Sequence, residues 1–163
     1  MTTNAPLSPS PQGDNTLIVI PTYNEMETLP RILDEIWAYV PAAHILIVDD
    51  SPTERFFMAS LLVKEGYEVI TAENGDEALE KVQAERPSIV IMDVVMPGKS
   101  GFQATRAIAR DPAMKDVHVI LCTSKNAESD RIWGLRQGAR DYLVKPVEPE
   151  LLLSKIADLS MEQ

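Results

Sequence analysis

From His44 to Leu159 short apolar runs alternate with amphipathic ones five times over, and this alternation constrains the fold more than any other feature. "ILIVDD" from Ile45 reads as a strand, and "SPTE" as a helix start. Ser51 caps that helix, Pro52 suits its first position, and Glu54 completes a capping box; Gly66 is its natural stop. "YEVITA", "SIVIMD", "VHVILCT" and "DYLV" read as further strands. "GDEALEKVQAE", "SGFQATRAIAR", "ESDRIWGLRQG" and "PELLLSKIADL" read as the helices that follow them. Such alternation implies an α/β fold: a doubly wound parallel sheet with helices on both faces. One more βα unit stands in front. "TLIVI" is an apolar strand halted by Pro21, and Leu29, Ile32, Leu33, Ile36, Trp37 and Val40 form one face of a helix that Pro41 ends.

Charge narrows the function classes. The net charge of -10 opposes a nucleic-acid surface, which needs a basic stripe, and equally an anionic membrane surface. No apolar run approaches the length of a membrane span. Cys122, the single cysteine, cannot form an intramolecular disulfide, which fits a reducing cytoplasm. Residues 1–15, rich in Pro, Ser, Thr and Asn, read as a disordered tail.

In a parallel α/β sheet ligands bind at the carboxyl ends of the strands. The first of the five strands ends in Asp49 and Asp50, the third in Asp93, the fourth in Thr123 and Ser124, and the fifth in Lys145-Pro146. Taken singly, an Asp here is a turn former and a Lys-Pro a loop. Together they bring three carboxylates, a hydroxyl and an ammonium to one edge. Three acids so placed repel one another without a cation. Mg²⁺, which takes oxygen ligands and keeps several waters, suits them. The lysine and hydroxyl are then free to bind phosphoryl oxygens, a set of parts suited to phosphoryl transfer.

With "VDDS", "MDVVMPGKSG", "CTS" and "DYLVKP" in order, residues 44–160 resemble the receiver domain of bacterial two-component response regulators. The resemblance implies a flavodoxin-like (CheY-like) sheet of order 2-1-3-4-5. "GFQATR" and "IWGLRQGARDYLVKPV" look most like single-domain receivers of pilus-type, twitching-motility systems.

It further implies that Asp93 is the phosphoacceptor, attacking a phosphohistidine of a histidine kinase or phosphotransfer protein. Asp50 would ligate Mg²⁺ directly, Asp49 partly through water, and the backbone carbonyl of Val95 would add a ligand. Lys145 would pair with phosphoryl oxygens, and the Lys145-Pro146 bond in such domains is commonly cis. Thr123 would close onto the phosphoryl group and Tyr142 turn inward with it. The face made by the last two helices and the last strand would then report phosphorylation to a downstream protein. Such a domain is a self-phosphorylating acceptor rather than an enzyme. Val95 and Lys125 stand where some receivers carry residues that orient hydrolytic water, which implies slow loss of the phosphoryl group.

The front unit resembles something else. "TLIVIPTYNEMETLPRILDEIW" followed by "AHILIVDDSP" looks like the opening βαβ of family 2 glycosyltransferases, especially dolichyl-phosphate mannose synthases. There Pro21, Tyr23, Glu25 and an aspartate equivalent to Asp49 or Asp50 would border a nucleotide. The match then stops, with no later Asp-x-Asp motif. Both families own a strand ending in Val-Asp-Asp, so the chain reads as an engineered chimera or fusion joined inside it; the alternative is a natural receiver with an unusual N-terminal extension. Its parts are a tail over 1–15, a βα extension over 16–43 and a receiver over 44–163.

"TLIVI" then needs an edge. A right-handed crossover gives order 0-2-1-3-4-5; the alternative is dimerisation or strand exchange through the extension. The competing functions are an engineered hybrid without selected function and a nucleotide-sugar-binding fragment. The few residues after the final helix leave no room for a DNA-binding output domain, so output runs through protein contact. Trp133 reads as packing or surface, Cys122 as core, and His44 and His118 as structural rather than metal-binding.

Overall fold

The computed structural model describes residues 43–162. The expected tail, and all but the last residue of the expected extension, lie outside them. Five strands form one parallel sheet in the order β2-β1-β3-β4-β5: β1 (His44–Val48), β2 (Glu68–Ala72), β3 (Ile89–Asp93), β4 (His118–Thr123) and β5 (Asp141–Val144). Helices α1 (Pro52–Lys64), α2 (Gly75–Glu85), α3 (Gly101–Arg110), α4 (Glu128–Arg136) and α5 (Pro149–Met161) connect or follow them. This is the doubly wound arrangement that the alternation implies, in the flavodoxin-like order that the receiver resemblance implies. No helix among the described residues is long and apolar enough to cross a membrane.

The strand ending in Val-Asp-Asp is β1, and both its edges are used. His44–Val48 pairs with Glu68–Ala72 on one side, and Ile45–Val48 with Ile89–Met92 on the other. Successive side chains of a strand face opposite ways, so β1 feeds two separate cores. Leu46 and Val48 join Val90, Met92, Val82, Ala104, Ile108 and Leu121 beneath α2 and α3. Ile45 and Ile47 join Met58, Leu62, Ile91, Leu152 and Ile156 beneath α1 and α5.

Local signals set the helix ends. Ser51 accepts from the Glu54 amide at 3.4 Å and Asn74 from the Glu77 amide at 2.9 Å, while Gly66 takes a left-handed φ of 91° just past α1. The capping box expected at Ser51 and Glu54 is only half made. The Ser51 amide, which the Glu54 carboxylate would have to accept from, instead donates to Asp49 Oδ1 at 2.9 Å. The complete box is at Ser100 and Gln103, at the start of α3.

Candidate functional site

Strand register assembles the site. Val48 lies beside Met92, so Asp49, the residue just after β1, comes level with Asp93 at the end of β3. Asp93 pairs with Cys122, and Thr123 with Val144, which carries the line on to Lys145. The Lys145 amide donates to the Thr123 carbonyl at 2.8 Å, and the Lys145-Pro146 bond is cis. Asp49, Asp93 and Thr123 are buried, whereas Asp50 is exposed.

Asp49, Asp50 and Asp93 each bring a carboxylate oxygen within 4.8 Å of the other two. Lys145 Nζ donates to Asp49 Oδ2 at 2.5 Å and lies 3.8 Å from Asp93 Oδ1. Burial pushes the Asp93 carboxyl up to about 6. Lys145 opposes that shift, and the neighbouring charges of Asp49 and Asp50 add to it. For Lys145, burial favours the neutral amine, but the hydrogen bond to Asp49 and the charges of Asp93 and Asp49 outweigh it. The ammonium is held above its usual range.

An all-oxygen donor set, with three carboxylates this close and one of them reluctant to ionise, fits a hard divalent cation such as Mg²⁺. The Val95 amide donates to Asp93 Oδ1 at 3.4 Å, and Val95 is 54% exposed. Beyond the carboxylates, Thr123 Oγ1 accepts from the Lys125 amide at 3.2 Å. The Tyr142 ring is buried, and its hydroxyl donates to the Lys125 carbonyl at 2.8 Å. Asp49, Asp50, Asp93, Thr123 and Lys145 therefore fall at one end of the sheet, and Tyr142 reaches toward it from β5; Pro21, Tyr23 and Glu25 lie outside the described residues. Trp133 is exposed on α4, Cys122 is buried in β4, and His44 and His118 begin strands at the opposite end.

Two supporting residues escaped the sequence reading. Gly101 opens α3 against the acid: a Cβ there would stand 2.0 Å from the Asp93 carbonyl oxygen, and the Gly101 amide donates to Val94 O at 3.0 Å. The glycine in "GKSG" was a usable signal, since a glycine at a helix start often marks close backbone approach. Arg55 donates to the Asp49 carbonyl oxygen at 2.6 Å. Its signal was a cation in the first turn of α1, where the helix dipole disfavours positive charge.

Comparison with known proteins agrees with this geometry. Residues 45–157 match the family described as response regulator receiver domain. The chain is 51% identical to protein PilH of Pseudomonas aeruginosa over 114 residues, covering 70% of this chain and 94% of that one. It is 37% identical over 119 residues to response regulator PleD of Caulobacter vibrioides, but spans only 26% of that longer protein. The structure of Vibrio cholerae chemotaxis protein CheY4 superposes with a TM-score of 0.69 at 36% identity, covering 72% of this chain and 98% of that one. With that sheet order, that row of acids and these likenesses along nearly all of the described residues, the chain belongs to the response regulator receiver domain family.

Proposed function

We propose that Asp93 is the phosphoacceptor of this receiver and that the strand-end pocket is its Mg²⁺-dependent phosphorylation site. The observation that carries this reading is the convergence of Asp49, Asp50, Asp93 and Lys145 at one sheet edge. Asp50, Asp49 and Asp93, with the backbone carbonyl of Val95, would hold the metal. When bound, Mg²⁺ neutralises carboxylate and phosphoryl charge together. An oxygen of ionised Asp93 attacks the phosphorus of a phosphohistidine; the O–P bond forms, the P–N bond breaks, and the imidazole leaves and takes a proton. Lys145, paired with Asp49 before the reaction, then pairs with phosphoryl oxygens.

Thr123 would exchange its contact with the Lys125 amide for a phosphoryl oxygen, drawing on the loop that Tyr142 also holds. The face beside it carries exposed Ile132, Trp133, Val144 and Leu151, an apolar surface suited to a downstream protein. The phosphodonor would be a histidine kinase or phosphotransfer protein, in a cytoplasmic setting. The likeness to PilH supports a role in a pilus-type signalling system. We further propose that the receiver unit begins at His44 and that the tail and glycosyltransferase-like segment before it were joined to it. Support for that boundary comes from the start of β1 and the start of the family match.

The test is intact mass after incubation with acetyl phosphate and Mg²⁺, beside Asp93→Asn and a metal-free control. One phosphoryl adduct, absent from both controls, is expected. An adduct retained by Asp93→Asn, or none on folded wild-type protein, overturns the assignment.

A further inference from the structure

We infer that Arg55 is a positioning residue that sets the aim of the Asp49-Asp50 pair, through the peptide that joins them. The inference rests on the pocket being the Mg²⁺ site.

Arg55 Nη1 donates to the Asp49 carbonyl oxygen at 2.6 Å, and Nη2 pairs with Glu73 Oε1 at 2.9 Å. The arginine side chain is 13% exposed and that of Glu73 is 69% exposed. One arm is thus inside the fold and the other is tied to the loop after β2. The Asp49 carbonyl and the Asp50 amide belong to one rigid plane. Holding that oxygen fixes the direction in which Asp50 leaves the strand.

Asp50 needs this more than its neighbours do. The Asp49 carboxylate is gripped twice, by the Ser51 amide at 2.9 Å and by Lys145 at 2.5 Å. Asp93 accepts from the Val95 amide at 3.4 Å. Asp50 is exposed, and no described residue donates a hydrogen bond to its carboxylate, so its aim is set by its backbone. A guanidinium suits the task because its planar fork reaches two separate acceptors while remaining rigid. A lysine in its place keeps the charge and can hold one acceptor well.

The expected result has the opposite sign to the one that charge alone predicts. Removing a cation beside three carboxylates should tighten Mg²⁺ binding if Arg55 acts only through its charge. If it positions Asp50, removal weakens binding by about tenfold, the scale of other outer supports of metal ligands. The experiment is calorimetric titration of MgCl₂ into the full chain at pH 7.5 for wild type, Arg55→Met and Arg55→Lys, with metal-free melts to verify folding. Weaker binding in both variants is expected, with a smaller loss for Arg55→Lys. Equal or tighter binding by Arg55→Met overturns the inference. If Arg55→Met does not fold, Arg55→Gln, also uncharged, takes its place, and equal or tighter binding there overturns the inference. A wild-type chain that binds no Mg²⁺ removes the pocket assignment, and this inference with it.

Discussion

Thr123 and Tyr142 hold opposite sides of the same residue: the threonine oxygen accepts from the Lys125 amide at 3.2 Å, and the tyrosine hydroxyl donates to the Lys125 carbonyl at 2.8 Å. Tyr142→Phe keeps the buried ring and removes one arm. A neutral hydrogen bond contributes about 1 kcal/mol, so the variant should lose roughly that stability while taking up phosphate from acetyl phosphate as wild type does. Amide exchange should quicken over 124–127 in the variant. Unchanged exchange there would mean that the hydroxyl does not restrain the loop.

Asp93 makes metal-free stability pH-dependent in a definite sense. Burial, more than any neighbour, raises its carboxyl to about 6, so the ionised form costs the fold. A carboxyl raised in the folded state adds nothing unfavourable below its ordinary value near 4; its cost accumulates as pH rises from about 4 to about 6 and is constant above that. In EDTA, Asp93→Asn should therefore be more stable than wild type at pH 7.5, by about 1–3 kcal/mol. The gap should close as pH falls from 6 toward 4. Urea melts across that range would refute this with a constant gap or a more stable wild type.

Gly101→Ala tests how tightly α3 is set against the acid. The added carbon would lie 2.0 Å from the Asp93 carbonyl, against backbone that cannot rotate away. Overpacking of this kind costs about 1–3 kcal/mol, and displacing a reacting group by about 1 Å can slow a reaction on the order of a hundredfold. The adduct rate with acetyl phosphate should fall far more than the melting curve moves. Wild-type kinetics would show that the helix start yields without disturbing Asp93.

Cys122 should be silent in the native state. Burial pushes its thiol up to about 12, and it is 1% exposed within β4. Thiolate is the reactive form, so Ellman's reagent should label the folded protein very slowly and the urea-unfolded protein at once. Prompt labelling of native protein would mean that β4 opens locally.

Phosphoryl loss should be slow. The Val95 side chain is exposed beside the pocket and offers no group to orient water. The half-life of the adduct after removal of acetyl phosphate should be minutes or longer. Seconds would point to another residue guiding hydrolysis.

The parts of the site that were legible in the sequence share one property. Asp49, Asp50, Asp93, Thr123 and Lys145 each end an apolar run, so the same pattern that announces a strand also places them at its carboxyl end. Arg55 and Gly101 left only faint signals, a cation in a first helical turn and a glycine at a helix start, because their roles depend on close approach to backbone oxygens that the sequence does not name. The Ser51 capping box failed because its local pattern competes with a stronger acceptor, Asp49, two residues back. The Ser100–Gln103 box was legible as Ser-x-x-Gln and went unread. The front segment, with its rival claim on "ILIVDD", lies outside the described residues. Within them, β1 hydrogen-bonds to β2 and to β3.

The sheet is also a partition. Leu46 and Ile47 are joined by one peptide bond, yet each belongs to a different apolar cluster and meets a different pair of helices. Energetic coupling follows shared neighbours rather than adjacency in the chain. Truncating Leu46 together with Ile108 should therefore be non-additive, whereas truncating Leu46 together with Met58, across the strands, should sum. The domain is two independently adjustable halves clamped to a common plate, and either half can be redesigned while the other keeps its fit.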